Sequence, residues 1–191
     1  MDALLVSTGV VALAEIGDKT QLLALVLAAR FREPVPIIFG ILLATLANHA
    51  LAGALGAWVA EVLGPDTLRW VVGLSFIAMA AWMLVPDDLD DMKEANRRFG
   101  AFGTTLITFF LVEIGDKTQV ATVVLAAKYD ALWAVVSGTT LGMMIANVPA
   151  VLLGDVAAKK LPLKLVHGIA AATFAGLGIA VLAGLGAGFQ P

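Results

Sequence analysis

The chain has 191 residues, of which 60% are hydrophobic and only 14% are charged, and its mean hydropathy is +0.95. Ordinary soluble domains carry about 25% charged residues, so this composition excludes them and predicts an integral membrane protein. The formal net charge of -3 gives no reason to expect a nucleic-acid partner, and the absence of cysteine excludes a disulfide framework and a thiolate metal site.

Six apolar runs divide the chain, and each has around the 20 residues that a membrane-spanning helix needs. Short polar or proline-containing segments separate the runs, and one extended polar loop covers residues 87–99. The N-terminus lacks the basic region and cleavage site of a secretory signal, so we expect an uncleaved first helix. The runs cover approximately 3–29, 35–61, 67–85, 100–127, 131–157 and 163–187.

A seven-residue motif occurs twice, in the first and fourth apolar runs. Residues 15–21 read EIGDKTQ, and residues 113–119 repeat them without change. Each copy places three charged side chains at the depth of the bilayer, where each costs about 2.5–3.5 kcal/mol on the translocon insertion scale. We therefore expect these side chains to face one another, water or an ion.

The repetition extends beyond the motif. At an offset of 98 residues, eleven of the sixteen positions in 15–30 are identical to those in 113–128. The chain is thus predicted to be a tandem duplication, with a first three-helix repeat at 1–86, a loop at 87–99 and a second three-helix repeat at 100–191. An odd number of spans inserts the second copy in the opposite direction. The predicted fold is therefore an all-α membrane protein, with six transmembrane helices arranged as two inverted three-helix repeats.

Basic residues outside the motifs are concentrated on one side of the predicted membrane. The loops after the first, third and fifth spans carry eight of them, and the opposite loops carry two. Because Lys and Arg favour the cytoplasmic side, we expect both termini outside and the 87–99 loop in the cytoplasm. The eight are Arg30, Arg32, Lys93, Arg97, Arg98, Lys159, Lys160 and Lys164, and the two are Arg69 and Lys128.

The polar side chains of the two motifs are candidates for one ion site. On an unbroken helix, the acidic and amide side chains of each motif form a stripe along one face. Both stripes together supply four carboxylates and two amides, and distorted helices would add two threonine hydroxyls. Such oxygen ligands suit a hard divalent cation, whether Mn²⁺, Ca²⁺ or Mg²⁺. The predicted ligands are Glu15, Asp18, Thr20 and Gln21 of the first motif, and Glu113, Asp116, Thr118 and Gln119 of the second.

The motifs also contain glycine and lysine. Gly17 and Gly115 predict either a helix break, which would free carbonyls for the ion, or tight helix packing, and the sequence leaves both interpretations open. We expect Lys19 and Lys117 to pair with the carboxylates of an emptied site, and so to act in coupling or gating.

Polar and small residues outside the motifs are weaker candidates. Asn48 and Asn147 could line the site, although polar contacts between helices explain them at least as well. His49 is expected to be an interior or interfacial histidine rather than a ligand. Close helix contacts are predicted for Gly138 and Gly142, and for the stripe Ala172, Gly176, Ala180, Gly184 and Gly188.

The motif could instead be structural. Glu15 and Lys19 lie four residues apart, as do Glu113 and Lys117, so each pair could neutralise itself within one helix and lock the bundle. Two copies of so costly a heptamer argue against this alternative.

The twin E-x-G-D-K-T motif, in the first span of each of two three-span repeats, resembles that of the GDT-type cation exchanger family. This family includes bacterial manganese exporters of the Mne type and Golgi calcium/manganese:proton exchangers. The resemblance covers essentially the whole chain. It implies Mn²⁺ or Ca²⁺ as the transported substrate, exported in exchange for protons, and no permanently bound cofactor. It also implies a location in a bacterial inner membrane and an ion site centred on Glu15, Asp18, Glu113 and Asp116.

Two other classes share part of the pattern. A proton-driven exporter of small basic amino acids has a similar architecture, and it would show lysine or arginine efflux that does not respond to divalent ions. An intramembrane aspartyl protease also places two aspartates in membrane helices, and Gly17-Asp18 partly matches its Gly-x-Gly-Asp element. That match fails at Glu15, where the element has glycine. We therefore expect no enzymatic activity.

Overall fold

Helices are the regular secondary structure of the described part of the chain. The computed structural model describes residues 1–85, 99–153 and 163–184. Eight α-helices and no β-strand are formed within these ranges, which confirms the predicted all-α class. Most of the predicted 87–99 loop and the basic residues Lys159 and Lys160 lie outside the described residues. The helices are α1 Asp2–Glu15, α2 Lys19–Phe31, α3 Pro34–Val62, α4 Pro65–Trp82, α5 Gly100–Glu113, α6 Lys117–Lys128, α7 Leu132–Leu153 and α8 Leu163–Leu182.

Both motifs interrupt a helix. The first break separates α1 from α2, and the second separates α5 from α6. Gly17 has a φ of 87° and Gly115 a φ of 79°, in the left-handed region that glycine enters without the steric cost of a Cβ. Of the two interpretations of these glycines, the structure therefore supports the helix break.

Within the described ranges, three helices are long and apolar enough to cross a membrane. They are α3, α7 and residues 164–182 of α8. The four helices that flank the breaks have only 12 to 14 residues each. At 1.5 Å per residue, each is about 18–21 Å long, which is shorter than the roughly 30 Å hydrocarbon core. Each motif therefore joins two half-helices, neither of which spans a bilayer by itself.

The first half-helix of each motif packs against the other half of the chain through a close glycine contact. α1 packs on α7, where a Cβ added to Gly138 would lie 2.9 Å from Ser7 Cβ. α5 packs on α3, where a Cβ added to Gly40 would lie 2.8 Å from Thr105 Cβ. These contacts are equivalent at the offset of 98 residues. A Cβ added to Gly142 would also crowd α1, so the close contacts predicted for Gly138 and Gly142 are confirmed.

The contact between α4 and α8 differs from the sequence prediction. It is formed by Gly178, where an added Cβ would lie 2.9 Å from the Gly73 carbonyl oxygen, and by the rings of Phe76 and Phe174. In the predicted small-residue stripe, Ala172 is exposed and Gly176 has open space around it, so that prediction is wrong for these positions. Residues spaced by four drift by about 40° per step around a helix, and five such positions cannot stay on one face. The last member, Gly188, lies outside the described residues.

We expect Gly115→Ala to lower the free energy of unfolding by about 1–2 kcal/mol, because a left-handed backbone is unfavourable for alanine. A Cβ at this position would meet no heavy atom within 4 Å, so the loss would be conformational rather than steric. Gly9→Ala is the matched control, since its Cβ also has open space but lies inside α1, where alanine favours the helix. Thermal unfolding in detergent compares the two variants. Equal stability of Gly115→Ala and the unsubstituted protein would contradict the strained backbone.

Candidate ion-binding site

Three carboxylates meet where the half-helices end. Glu15 is the last residue of α1, Glu113 is the last residue of α5, and Asp116 immediately precedes α6. Each offers an oxygen within 4.8 Å of the others, and all three side chains are buried. Buried like charges at this separation repel strongly, and each also loses its hydration. The cluster therefore requires positive charge, supplied by protons or by a cation.

The breaks bring the motif threonines to the glutamates. The Thr20 hydroxyl donates a hydrogen bond to Glu15 Oε2, and the Thr118 hydroxyl donates to Glu113 Oε1 at 2.5 Å. Thr118 Oγ1 also lies 3.5 Å from Asp116 Oδ2. On an unbroken helix, a residue five positions after the glutamate would point away from it. The sequence predicts the threonines as ligands only if the motif helices are distorted. The structure shows this distortion at both motifs.

The stripe predicted on an unbroken helix is wrong, because each motif changes direction at its glycine. Among the described residues, the cluster that could hold a metal contains Glu15, Glu113 and Asp116. Asp18, the fourth predicted acid, is also buried, and its Oδ1 lies 3.8 Å from Lys117 Nζ. The site is therefore less symmetric than the two identical motifs.

The two motif glutamines brace the breaks. Gln21 Oε1 accepts a hydrogen bond from the Gly17 amide at 3.0 Å, and its Nε2 donates to the Ala146 carbonyl at 2.9 Å. Gln119 Oε1 accepts from the Gly115 amide at 2.7 Å, and its Nε2 donates to Asn48 Oδ1 at 3.3 Å. Each glutamine thus ties its own break to the middle helix of the other half, and its role as an ion ligand stays a prediction.

Each motif lysine pairs with the aspartate of the other motif. Lys19 Nζ lies 2.9 Å from Asp116 Oδ1, and Lys117 Nζ lies near Asp18 Oδ1 and 3.4 Å from the Val85 carbonyl oxygen. The structural alternative required Glu and Lys four residues apart on a continuous helix, and the breaks remove that helix. The ion pairs between the motif lysines and aspartates therefore join the two halves of the chain.

The polar residues of α3 and α7 occupy different environments. Asn48 donates to the Phe110 carbonyl at 3.0 Å and accepts from Gln119, which joins it to the second motif. Asn147 donates to the carbonyl and the sulfur of Met143, on its own helix. Asn48 thus contacts a motif residue, whereas the hydrogen bonds of the Asn147 amide nitrogen to Met143 stay within α7.

His49 is predicted from the sequence to be an interior or interfacial residue rather than a ligand. Its side chain is fully buried in α3, and its Nε2 lies 3.6 Å from Glu113 Oε1. Neither ring nitrogen has a hydrogen-bond partner among the described residues. A signal was present in the sequence, because His49 aligns with the polar Asn147 at the repeat offset of 98 residues. The expected interior position is therefore observed, but next to the carboxylate cluster.

Comparison with known proteins gives one family for almost the whole chain. The family described as divalent cation/proton antiporter GDT1 matches residues 3–91 and 101–187. A Vibrio cholerae protein named "Putative manganese exporter" is 56% identical over 175 residues, which cover 91% of this chain and 87% of that protein. No solved structure matches the chain.

Two more distant relatives carry the name of the same family. GDT1-like protein 3 of Oryza sativa subsp. japonica is 28% identical, over 93% of this chain and 72% of the rice protein. GDT1-like protein sll0615 of Synechocystis is 28% identical, over 82% of this chain and 84% of its own length.

The pairing between motifs predicts a measurable energetic coupling. In a double-mutant cycle, we expect Lys19→Gln and Asp116→Asn to couple by about 1 kcal/mol, within the range observed for contacting residues of one network. The cycle of Lys19→Gln with Glu15→Gln is the comparison, and it should give a smaller coupling because the break separates these two residues. Unfolding of the detergent-solubilised variants supplies the free energies. A larger coupling between Lys19 and Glu15 would restore the structural alternative.

Proposed function

Because this chain belongs to the divalent cation/proton antiporter family GDT1, we propose that it exports Mn²⁺ from the cytoplasm in exchange for protons. The observation that carries the proposal is the cluster of three buried carboxylates between two broken helices. Oxygen ligands of this kind suit a hard divalent cation. The name of the Vibrio cholerae relative favours manganese over calcium as the cargo. The chain is a membrane transporter rather than an enzyme.

The proposed architecture has six transmembrane spans in two inverted repeats, at 1–86 and 100–191, joined by the cytoplasmic loop 87–99. The contacts that recur at the repeat offset support it. Gly40 with Thr105 matches Gly138 with Ser7, and the bond of Gln119 to residue 48 matches that of Gln21 to residue 146. In this architecture α1 and α6 lie on the outer side of the membrane, and α2 and α5 lie on the cytoplasmic side.

Competition for the same oxygens couples the two fluxes. The carboxylate cluster requires compensating positive charge, which either protons or one divalent cation can supply, and each excludes the other. Lys19 adds a second competitor, since its ammonium lies 2.9 Å from Asp116, one of the clustered acids. A cation that binds Asp116 must displace Lys19. After the site releases its cation, Lys19 can therefore pair with Asp116 in its place. This pairing opposes ion movement that is not coupled to exchange.

The proposed ligands follow from the positions of the side chains. Glu15, Glu113 and Asp116 form the core, and Asp18 joins them when the cation displaces Lys117. Thr20 and Thr118 hold the two glutamates and complete the oxygen set. Gln21, Gln119 and Asn48 are positioning residues that fix the breaks. Asn147 donates within α7, while its Oδ1 is buried without a hydrogen-bond partner among the described residues, so we keep it as a possible lining residue of the site.

Alternating access would exchange the conformations of the two repeats. Among the described helices, α4 packs on α6 and α8 packs on α1. If the two repeats exchanged conformations, the equivalent contacts would be those of α8 with α2 and of α4 with α5. These pairs make less contact in the structure. This difference supports a state in which α4 and α8 close the side of α1 and α6. In the opposite state they would pack on α2 and α5, and the site would open to the other side.

We expect Asp116→Asn to reduce Mn²⁺-dependent proton movement in proteoliposomes at least tenfold, because the cluster loses a charge that both protons and cation require. Asp18→Asn should have the same effect. Asp130→Asn is the matched control, since Asp130 is exposed in the turn before α7 and should leave transport unchanged. Flux under an imposed pH gradient compares Mn²⁺, Ca²⁺ and Mg²⁺ with lysine and arginine. Full activity of Asp116→Asn would reject the proposed site, and amino-acid efflux that ignores divalent ions would favour the basic amino-acid exporter.

The proposed orientation has a direct test, because the chain has no cysteine to give background labelling. An impermeant maleimide applied to intact cells should label Asp2→Cys at the outer N-terminus. It should label Ala95→Cys, in the proposed cytoplasmic loop, only after the membrane is opened. Labelling of Ala95→Cys in intact cells would show that the orientation is reversed.

A further inference from the structure

We infer that His49 supplies a nitrogen ligand to the cation held by the motif carboxylates, and that this ligand favours Mn²⁺ over Ca²⁺ and Mg²⁺. The inference rests on the proposed function, because it concerns the same site. It adds a ligand from outside the motifs and gives a chemical reason for the choice of cargo.

His49 lies beside the carboxylate cluster, next to Glu113. Its Nε2 lies 3.6 Å from Glu113 Oε1, which is longer than the 2.7–3.2 Å of a good hydrogen bond. Two atoms that bind one ion at about 2.0–2.6 Å lie roughly 3–5 Å apart, depending on the angle at the ion. The separation of the imidazole nitrogen and the carboxylate oxygen therefore fits two ligands that share a cation better than it fits a direct hydrogen bond.

The unsatisfied atoms of the site point to the same conclusion. The His49 side chain is fully buried, and neither of its ring nitrogens has a hydrogen-bond partner in the described part of the chain. A buried polar group without a partner costs about 1–3 kcal/mol and is rare in folded proteins. Glu15 Oε1 and Glu113 Oε2 are likewise buried without a hydrogen-bond partner there. A cation held between His49 and Glu113 would satisfy the imidazole and this carboxylate together.

The two halves of the site differ at this position. His49 aligns with Asn147 at the repeat offset, and the bonds of Gln21 to residue 146 and of Gln119 to residue 48 support this alignment. Asn147 bonds within α7 through its amide nitrogen. The duplication therefore provides identical acids from both motifs but an imidazole from the first half alone.

One imidazole among several carboxylates is a selective ligand set. Ca²⁺ and Mg²⁺ are bound by oxygen ligands and gain little from nitrogen, whereas first-row transition metals accept imidazole readily. Zinc sites usually recruit cysteine or several histidines, and this site has one histidine and no cysteine. The resulting set of mostly oxygen and one nitrogen suits Mn²⁺.

Pulsed electron paramagnetic resonance of the full-length protein loaded with Mn²⁺ tests the contact directly. We expect a nitrogen coupling from imidazole in the unsubstituted protein, and its loss in His49→Asn, which gives the first half the residue of the second. His167→Gln is the matched control, because His167 is the other histidine of the chain and its Nε2 contacts the Ile16 carbonyl oxygen. A coupling that persists in His49→Asn, or that disappears in His167→Gln, would overturn the inference.

Binding selectivity gives the second readout. We expect His49→Asn to weaken Mn²⁺ binding at least tenfold, by analogy with the 10–100-fold losses that even indirect partners of a metal ligand cause. Ca²⁺ binding should change less than about threefold, because oxygen ligands dominate its affinity. His49→Gln provides a second variant of similar size in case His49→Asn fails to fold. Equal losses for both cations would overturn the inference.

The failure of this inference can be told apart from the failure of the proposed function. If the unsubstituted protein binds Mn²⁺ and exchanges it for protons without a nitrogen coupling, His49 is not a ligand and the transporter proposal stands. If it neither binds nor moves divalent cations, the proposed function itself is wrong, and the inference falls with it.

Discussion

The repulsion among Glu15, Glu113 and Asp116 is the constraint on which the rest of this structure depends. Their oxygens lie within 4.8 Å of one another and out of contact with water. Buried carboxylates this close together need protons or a cation to compensate their charge. Such a cluster is therefore unfavourable as a purely structural core and suits the proposed binding of protons or a cation. The ion pair of Lys19 with Asp116 supplies part of the compensation from the other motif. The same electrostatic requirement thus explains the cluster, the pairing between motifs and the proposed exchange of protons for cation.

The helix breaks make this cluster possible. An unpaired backbone amide in a bilayer costs several kcal/mol, so a break in a spanning helix must be satisfied within the protein. Gln21 and Gln119 do this by accepting from the amides of Gly17 and Gly115. The glycines permit the turn, and the glutamine side chains accept hydrogen bonds from the glycine amides. The threonine hydroxyls donate hydrogen bonds to the glutamates across the break. Most residues of the repeated heptamer therefore either form the helix break or make contacts that depend on it.

Two identical motifs do not make a symmetric site. α4 and α8 pack preferentially on α6 and α1, and His49 has Asn147 as its counterpart. In the proposed inverted-repeat architecture, this packing would be one of the two states that the transporter exchanges. The difference between His49 and Asn147 lies outside the motifs, so under our proposal it could adjust selectivity without changing the motif acids.

The sequence by itself determined the all-α membrane class, the internal repetition and the candidate acids of the two motifs, because composition, repetition and hydrophobic length are local properties. It did not determine how those acids meet. Lys19 pairs with Asp116, 97 residues away, and no spacing within one helix indicates that contact. The continuous stripe and the small-residue stripe of α8 were wrong, because each assumed that one helix keeps its direction or its face. His49 joined the site only in the folded chain, where α3 packs against α5 and brings it to Glu113. Tertiary structure decided these points, since two helix breaks redirect the side chains and packing between the halves selects their partners.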